Sequence, residues 1–172
     1  MTQLIAQAHE ARVPISFDIN YRSKLWSTDL AAQTLLPMIK NVDVLFCKAA
    51  DARNLFGCTG TIEEVVQQLA NLTNAKQLVV TGGDQGATGF DGVTTFHEPA
   101  VPTVILDRIG AGDAFAAGVL HGWLSGNFRQ GVYIGVILAA LKLSQYGDTL
   151  VVSPDVLADL LANQHHSTEP DR

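Results

Sequence analysis

Residues 107–118 read Asp-Arg-Ile-Gly-Ala-Gly-Asp-Ala-Phe-Ala-Ala-Gly. Gly110 and Gly112 stand where an apolar stretch, 101–106, interrupted by Thr103, gives way to a small-residue, helix-compatible stretch, 114–124. The first turn of a helix has N–H groups without intrahelical acceptors and a partial positive charge. Glycines at that point let an anion approach the bare backbone. A carboxylate beside an anion site repels the anion, so Asp113 needs another reason to be there. A general base that takes a proton from a nucleophile attacking a phosphate is one. A purely structural reason also exists, because Asp is favoured in first helical turns by the helix dipole. The stretch is not a dinucleotide fingerprint, since Phe115 stands where the third glycine belongs, and no Gly-Lys-Ser/Thr follows to make a Walker loop.

The elements that must position these residues read in order. A short helix is expected over 4–11, with Leu4, Ile5 and Ala8 on one face. A strand over 13–19 enters a polar loop holding Asp18, Asn20 and Arg22. Ser27 or Thr28 caps a helix over 29–40, and 42–47 is a buried strand. A helix over 49–55 stops at Gly57, and Thr61 with Glu64 opens another as a capping box, continued by Val65, Val66, Leu69 and Leu72. The strand 77–81 ends in a glycine-rich turn, 82–87, followed by an antiparallel excursion over 88–96 around Asp91-Gly92. A further strand end is expected at 107, before the glycine motif. The helix after that motif ends near Gly126, and a core helix over 128–145 ends at Gly147. Ser153 and Pro154 begin a last helix, and 165–172 is expected to be a disordered tail. Strands alternating with helices predict an α/β layered fold, a mostly parallel sheet with flanking helices, in one domain over 1–164. Ligands of such sheets bind at the carboxyl ends of strands, where 18–22, 82–86 and 107–113 all fall.

Composition narrows the classes. The 172 residues are 47% hydrophobic and 16% charged, which suits a globular core. A net charge of −6 argues against nucleic-acid binding, so a phosphate would be held by local N–H groups and a metal. The most apolar run, 131–141, is too short to span a bilayer. Cys47 and Cys58 lack metal-type spacing and fit reduced thiols in a cytoplasmic protein.

The motif from Asp107 through Gly110-Ala111-Gly112-Asp113 to Gly118 resembles the second signature of the PfkB (ribokinase-like) carbohydrate kinases. The resemblance implies that Asp113 is the catalytic base toward the γ-phosphate of ATP, and that the N–H groups of Gly110, Ala111 and Gly112 form the anion hole. It places Asp107 near a monovalent-cation site, although Arg108 stands where the family usually has Thr. The turn after Thr81, with Gly83 and Gly86, is similar to the family's nucleotide-side turn; taken alone it also reads as a plain hairpin turn. Asp18, Asn20 and Arg22, followed by Leu25-Trp26, resemble the 2-keto-3-deoxygluconate kinase subgroup, in which the matching arginine contacts the substrate carboxylate. A guanidinium fork suits a carboxylate; a solvated arginine pairing Asp18 is the alternative. Gly147-Asp148 resembles that subgroup's substrate-hydroxyl region. Lys48-Ala-Ala-Asp51 aligns with the family's Asn-x-x-Glu motif, so Asp51 would act on Mg2+ indirectly and Lys48 on phosphate. No asparagine of the kind the family often has near adenine occurs at 135–137.

The resemblance covers the family's C-terminal half only. It implies either a missing N-terminal half, assembly with a partner or with copies of itself, or a truncation. The function expected is phosphorylation of a sugar or sugar acid by ATP and Mg2+, with 2-keto-3-deoxygluconate as the leading substrate. A fructose- or ribose-type kinase and an inactive nucleotide-binding fragment remain open, as does an unrelated phosphate-handling enzyme that converged on the motif.

Overall fold

The computed structural model describes residues 1–165, which fall into two compact units divided after Pro99. The first unit, Met1–Pro99, is built on a five-stranded sheet in the order β1 (Ser16–Asp18), β2 (Val44–Lys48), β3 (Gln77–Thr81), β4 (Ala87–Phe90) and β5 (Thr95–Glu98). The strands β1, β2 and β3 pair in parallel, and β4 and β5 add antiparallel. The sheet is therefore mixed. Its antiparallel part is the excursion anticipated around Asp91-Gly92.

The helices of this unit are α1 (Thr2–Glu10), α2 (Thr28–Leu35), α3 (Ala49–Phe56) and α4 (Ile62–Thr73). One sheet face, with Leu45, Cys47, Leu78 and Val80, packs with Ala31, Ala52, Val65, Val66 and Leu69 of α2, α3 and α4. Val44, Phe46 and Val79 on the other face are buried as well, which is why β2 and β3 read as continuous apolar runs. Local chemistry sets the helix ends. The Ser27 hydroxyl accepts from Leu30 N–H at the start of α2. The capping box of α4 forms as expected: Thr61 Oγ1 accepts from Glu64 N–H at 3.3 Å, and Glu64 Oε2 from Thr61 N–H at 2.8 Å. Gly57 closes α3 in the left-handed conformation. The expected apolar face of α1 finds no core: the helix has no buried residue, and Leu4 is 62% exposed.

The second unit, from Ala100 onward, is helical: α5 (Ala111–Leu124), α6 (Phe128–Leu143) and α7 (Pro154–His165). The helices α5 and α6 meet through glycines. A Cβ on Gly122 would lie 2.3 Å from Gly131 Cα, so only hydrogen fits between the backbones. The expected strand end before the glycine motif is corrected here, since 101–106 joins no sheet. A strand needs a ladder partner, and this segment is bonded to a helix instead. Leu106 N–H donates to Leu143 O, and Thr103 Oγ1 to Ala140 O. His165 belongs to α7, and the rest of the expected tail, 166–172, lies outside the described residues. No helix among the described residues is long and apolar enough to cross a membrane.

Candidate functional site

In the second unit, Gly110 caps α5 with a φ of +79°, a conformation that favours glycine. A Cβ at Gly110 would lie 2.4 Å from the Asp148 carbonyl oxygen and 3.3 Å from Lys142 Cε. At Gly112 a Cβ would meet nothing within 4 Å, so the space beside this residue is open. The first amide of α5 to find a helical acceptor is Ala114, which donates to Gly110 O at 2.9 Å. The N–H groups of Ala111, Gly112 and Asp113 have no acceptor among the described residues. Asp113 is exposed in this same turn, and its carboxylate has no hydrogen-bond partner among the described residues. A proton acceptor and a row of anion-binding donors thus share one helical turn.

Asp107 fastens the turn from below. Its Oδ1 accepts from Ile109 N–H at 3.0 Å and its Oδ2 from Gly147 N–H at 3.2 Å. The Ile109 N–H is the main cause that holds this carboxyl below its ordinary range, with Gly147 N–H and the Lys142 ammonium adding to it. The Asp148 carboxylate accepts from Thr149 Oγ1, while its carbonyl supports Gly110. Lys142 was not singled out from the sequence. It is fully buried at the end of α6, and its Nζ donates to Gln145 O at 3.1 Å. The available signal was a lone lysine closing the chain's most apolar run.

In the first unit, parallel pairing puts the carboxyl ends of β1 and β2 side by side, with Asp18 opposite Phe46. Lys48 ends β2, caps α3 without a side-chain bond, and is the register partner of Thr81. Asp51 follows in the first turn of α3 and is buried, its Oδ2 left with no hydrogen-bond partner. Burial pushes the Asp51 carboxyl up. Lys48 and Arg22 and a backbone hydrogen bond from Tyr21 pull it down, and the charge of Asp18 adds to the rise. The fold therefore brings Asp18, Arg22, Lys48 and Asp51 within electrostatic reach of one another. Asp18 Oδ1 accepts from the Asn20 N–H, and Asn20 adopts a φ of +39°, which turns the loop toward Arg22. Tyr21 ties the loop's far end by donating to Trp26 O at 3.1 Å.

The glycine turn after Thr81 forms a single 3₁₀ turn, Gly83–Gln85, closed by Gly82 N–H to Gly86 O at 2.8 Å. Gly83 and Gly86 take φ of +69° and +84°, and a Cβ on Gly83 would meet open space. It is a turn between β3 and β4 that is exposed over Gly83–Gln85, while Gly86 is buried with its N–H donating to Gly83 O and its carbonyl accepting from Gly82 N–H. Among the described residues no group of three or more His, Cys, Asp or Glu stands ready to cage a metal. The orphaned Asp51 oxygen is a buried acceptor still open to a proton donor such as water. Cys47 and Cys58 are buried free thiols, and burial raises both.

The model of the pfkB family carbohydrate kinases matches residues 1–155. A 2-dehydro-3-deoxygalactonokinase of Haloferax volcanii is 34% identical over 92% of the chain. The match takes up 50% of that relative, so the chain spans about half the length of the curated protein it resembles. Among solved structures, aminoimidazole riboside kinase from Salmonella enterica, complexed with its riboside and an ATP analogue, superposes with a TM-score of 0.80 at 24% identity. That match covers 93% of this chain and 56% of the other. Phosphofructokinase-2 from Escherichia coli in complex with potassium gives a TM-score of 0.76 at 22% identity, over 95% of this chain and 52% of the other.

Proposed function

The chain belongs to the pfkB family of carbohydrate kinases, and from that premise we propose that it carries the nucleotide-binding and catalytic half of an ATP-dependent kinase for a 2-keto-3-deoxy sugar acid. The observation that carries this reading is the first turn of α5, where free N–H groups beside an open Gly112 share one turn with an unpaired Asp113. Asp113 takes the proton of the attacking substrate hydroxyl. The amides of Gly110, Ala111 and Gly112 hold the oxygens on which negative charge grows. Thr81, Gly83, Gly86 and Lys48 serve the nucleotide side, where the exposed backbone of Gly83 and one ammonium replace the basic surface that a chain of net charge −6 lacks. MgATP, when bound, supplies the transferable phosphoryl group and neutralises part of its charge.

On the substrate side, Arg22 clamps the carboxylate, and Asp18, Asn20 and Asp148 receive hydroxyls. The subgroup pattern at Asp18, Asn20 and Arg22 and the name of the Haloferax relative support a sugar acid over a neutral sugar. ADP release can be followed on 2-keto-3-deoxygluconate, 2-keto-3-deoxygalactonate, fructose and ribose, with the chain alone and mixed with the N-terminal half of the Haloferax relative. Preference for the keto-deoxy acids is expected, and Asp113→Asn should lower turnover by about 10³-fold. Turnover of Asp113→Asn within about tenfold of wild type excludes the base assignment.

One second reading, a nucleotide-binding unit without turnover of its own, is favoured by Lys48 standing where the resembled family has the asparagine that organises Mg2+ and phosphate. ATP binding by calorimetry with no ADP release, alone or in the mixture, would select it.

A further inference from the structure

Lys142 is fully buried, and an unscreened ammonium in that position requires compensation. Its surroundings are the underside of the phosphate turn. Its Cε is 3.3 Å from the place a Gly110 Cβ would take, its Nζ donates to Gln145 O at 3.1 Å, and its charge bears on Asp107. The two segments around it are stitched together. Gly147 N–H reaches Asp107 Oδ2, Leu106 and Asp107 N–H both reach Leu143 O, and Asp148 O presses on Gly110. The ammonium is thus enclosed by 106–110 and 143–148, with a backbone carbonyl as acceptor and a carboxylate as counter-charge.

The fold's neighbour from Escherichia coli was solved with potassium, and the signature begins at Asp107, where the family resemblance implies a monovalent ion. The residues present do not fit such an ion. A second unit positive charge at Asp107 would share that carboxylate with the buried ammonium, whose charge already acts on it, and the Gln145 carbonyl is already engaged. We propose that Lys142 is the tethered cation of the phosphate turn: α6 supplies permanently the charge that a bound monovalent metal would supply to 107–110, and the protein is indifferent to potassium. Lys142 is a positioning residue, acting through Asp107 and Gly110 and touching no substrate. The inference rests on 107–113 being the anion turn, as proposed above.

The test compares KCl with tetramethylammonium chloride at equal ionic strength, on the whole chain. The readouts are Tm without nucleotide and affinity for a fluorescent ATP analogue. Wild type is expected to give the same values in both salts. Lys142→Met should lose about tenfold in nucleotide affinity in tetramethylammonium, equivalent to one charge-assisted contact, and recover part of it, with a higher Tm, in KCl. Lys142→Arg, which keeps the charge, should stay indifferent. A wild-type Tm or affinity that rises specifically with potassium overturns the proposal, as does a folded Lys142→Met that responds no differently from wild type. Where Lys142→Met does not fold, the wild-type salt comparison decides in the same two directions. Absence of nucleotide binding in every salt, with a Lys142→Met Tm that still rises in KCl, defeats the kinase reading and supports this one.

Discussion

Gly110 and Asp148 touch backbone to backbone: a Cβ on Gly110 would lie 2.4 Å from the Asp148 carbonyl oxygen, well inside van der Waals contact. The pair locks the turn before α5 to the loop after α6, and it does so at a φ of +79° that favours glycine. Gly110→Ala meets both the conformational penalty and the clash, and should lower unfolding free energy by about 2–4 kcal/mol in chemical denaturation. Gly112→Ala, two residues on, faces open space. It should leave stability within about 1 kcal/mol of wild type and still weaken ATP binding, because the methyl occupies the anion's approach. Equal damage to stability from both substitutions would contradict the division of labour between these glycines.

Asp51 presents a trade between stability and function. Its folded pKa lies above the ordinary 3.8 because burial disfavours the charged form, with Lys48 and Arg22 opposing. A group raised in this way contributes stability that is fully present below pH 3.8 and lost as pH rises through the folded value. Asp51→Asn should therefore raise Tm at pH 7, with the gain fading as pH falls toward that limit. The same variant should need more Mg2+ for half-maximal turnover, which is read in a magnesium titration.

Asp43 has the opposite sign. Burial alone would raise its carboxyl, but the Lys76 ammonium at 2.6 Å and the Ile15 N–H at 2.8 Å outweigh burial and hold it below 3.8. Its contribution to stability is present above 3.8 and lost as pH falls through the folded value. Asp43→Asn should cost about 1–2 kcal/mol at pH 7. The difference from wild type should close on acidification, as urea denaturation at several pH values will show.

Arg22 is exposed on the loop after β1, and its task under the proposed function is the substrate carboxylate. Arg22→Ala should raise KM for a keto-deoxy acid by about 10²-fold and leave Tm within a degree or so of wild type. Unchanged KM on the acid, with good turnover of fructose, would move the assignment to a neutral-sugar kinase.

Much of the scaffold was legible because it is set by bonds between residues a few positions apart. The capping box at Thr61 and Glu64, the left-handed stop at Gly57, the Ser153 cap of α7 and the strand 77–81 needed only local sequence. The errors came where a partner decides. Residues 101–106 look like a strand, but no sheet edge pairs with them and α6 takes their hydrogen bonds. The helix α1 forms where its pattern predicts it, and only the tertiary structure shows that it has no buried residue.

The sequence by itself determined the chemistry on offer: two glycine-rich turns, an aspartate in the first turn of a helix, and an arginine in a polar loop. Those properties follow from residue type and short-range geometry. Tertiary structure alone decided which charges meet. Parallel pairing of β1 with β2 set Asp18, Arg22 and Lys48 around a buried Asp51, and the end of α6 placed Lys142 under Gly110. Charge–charge energy depends on distance and burial through space, and neither is a function of separation along the chain.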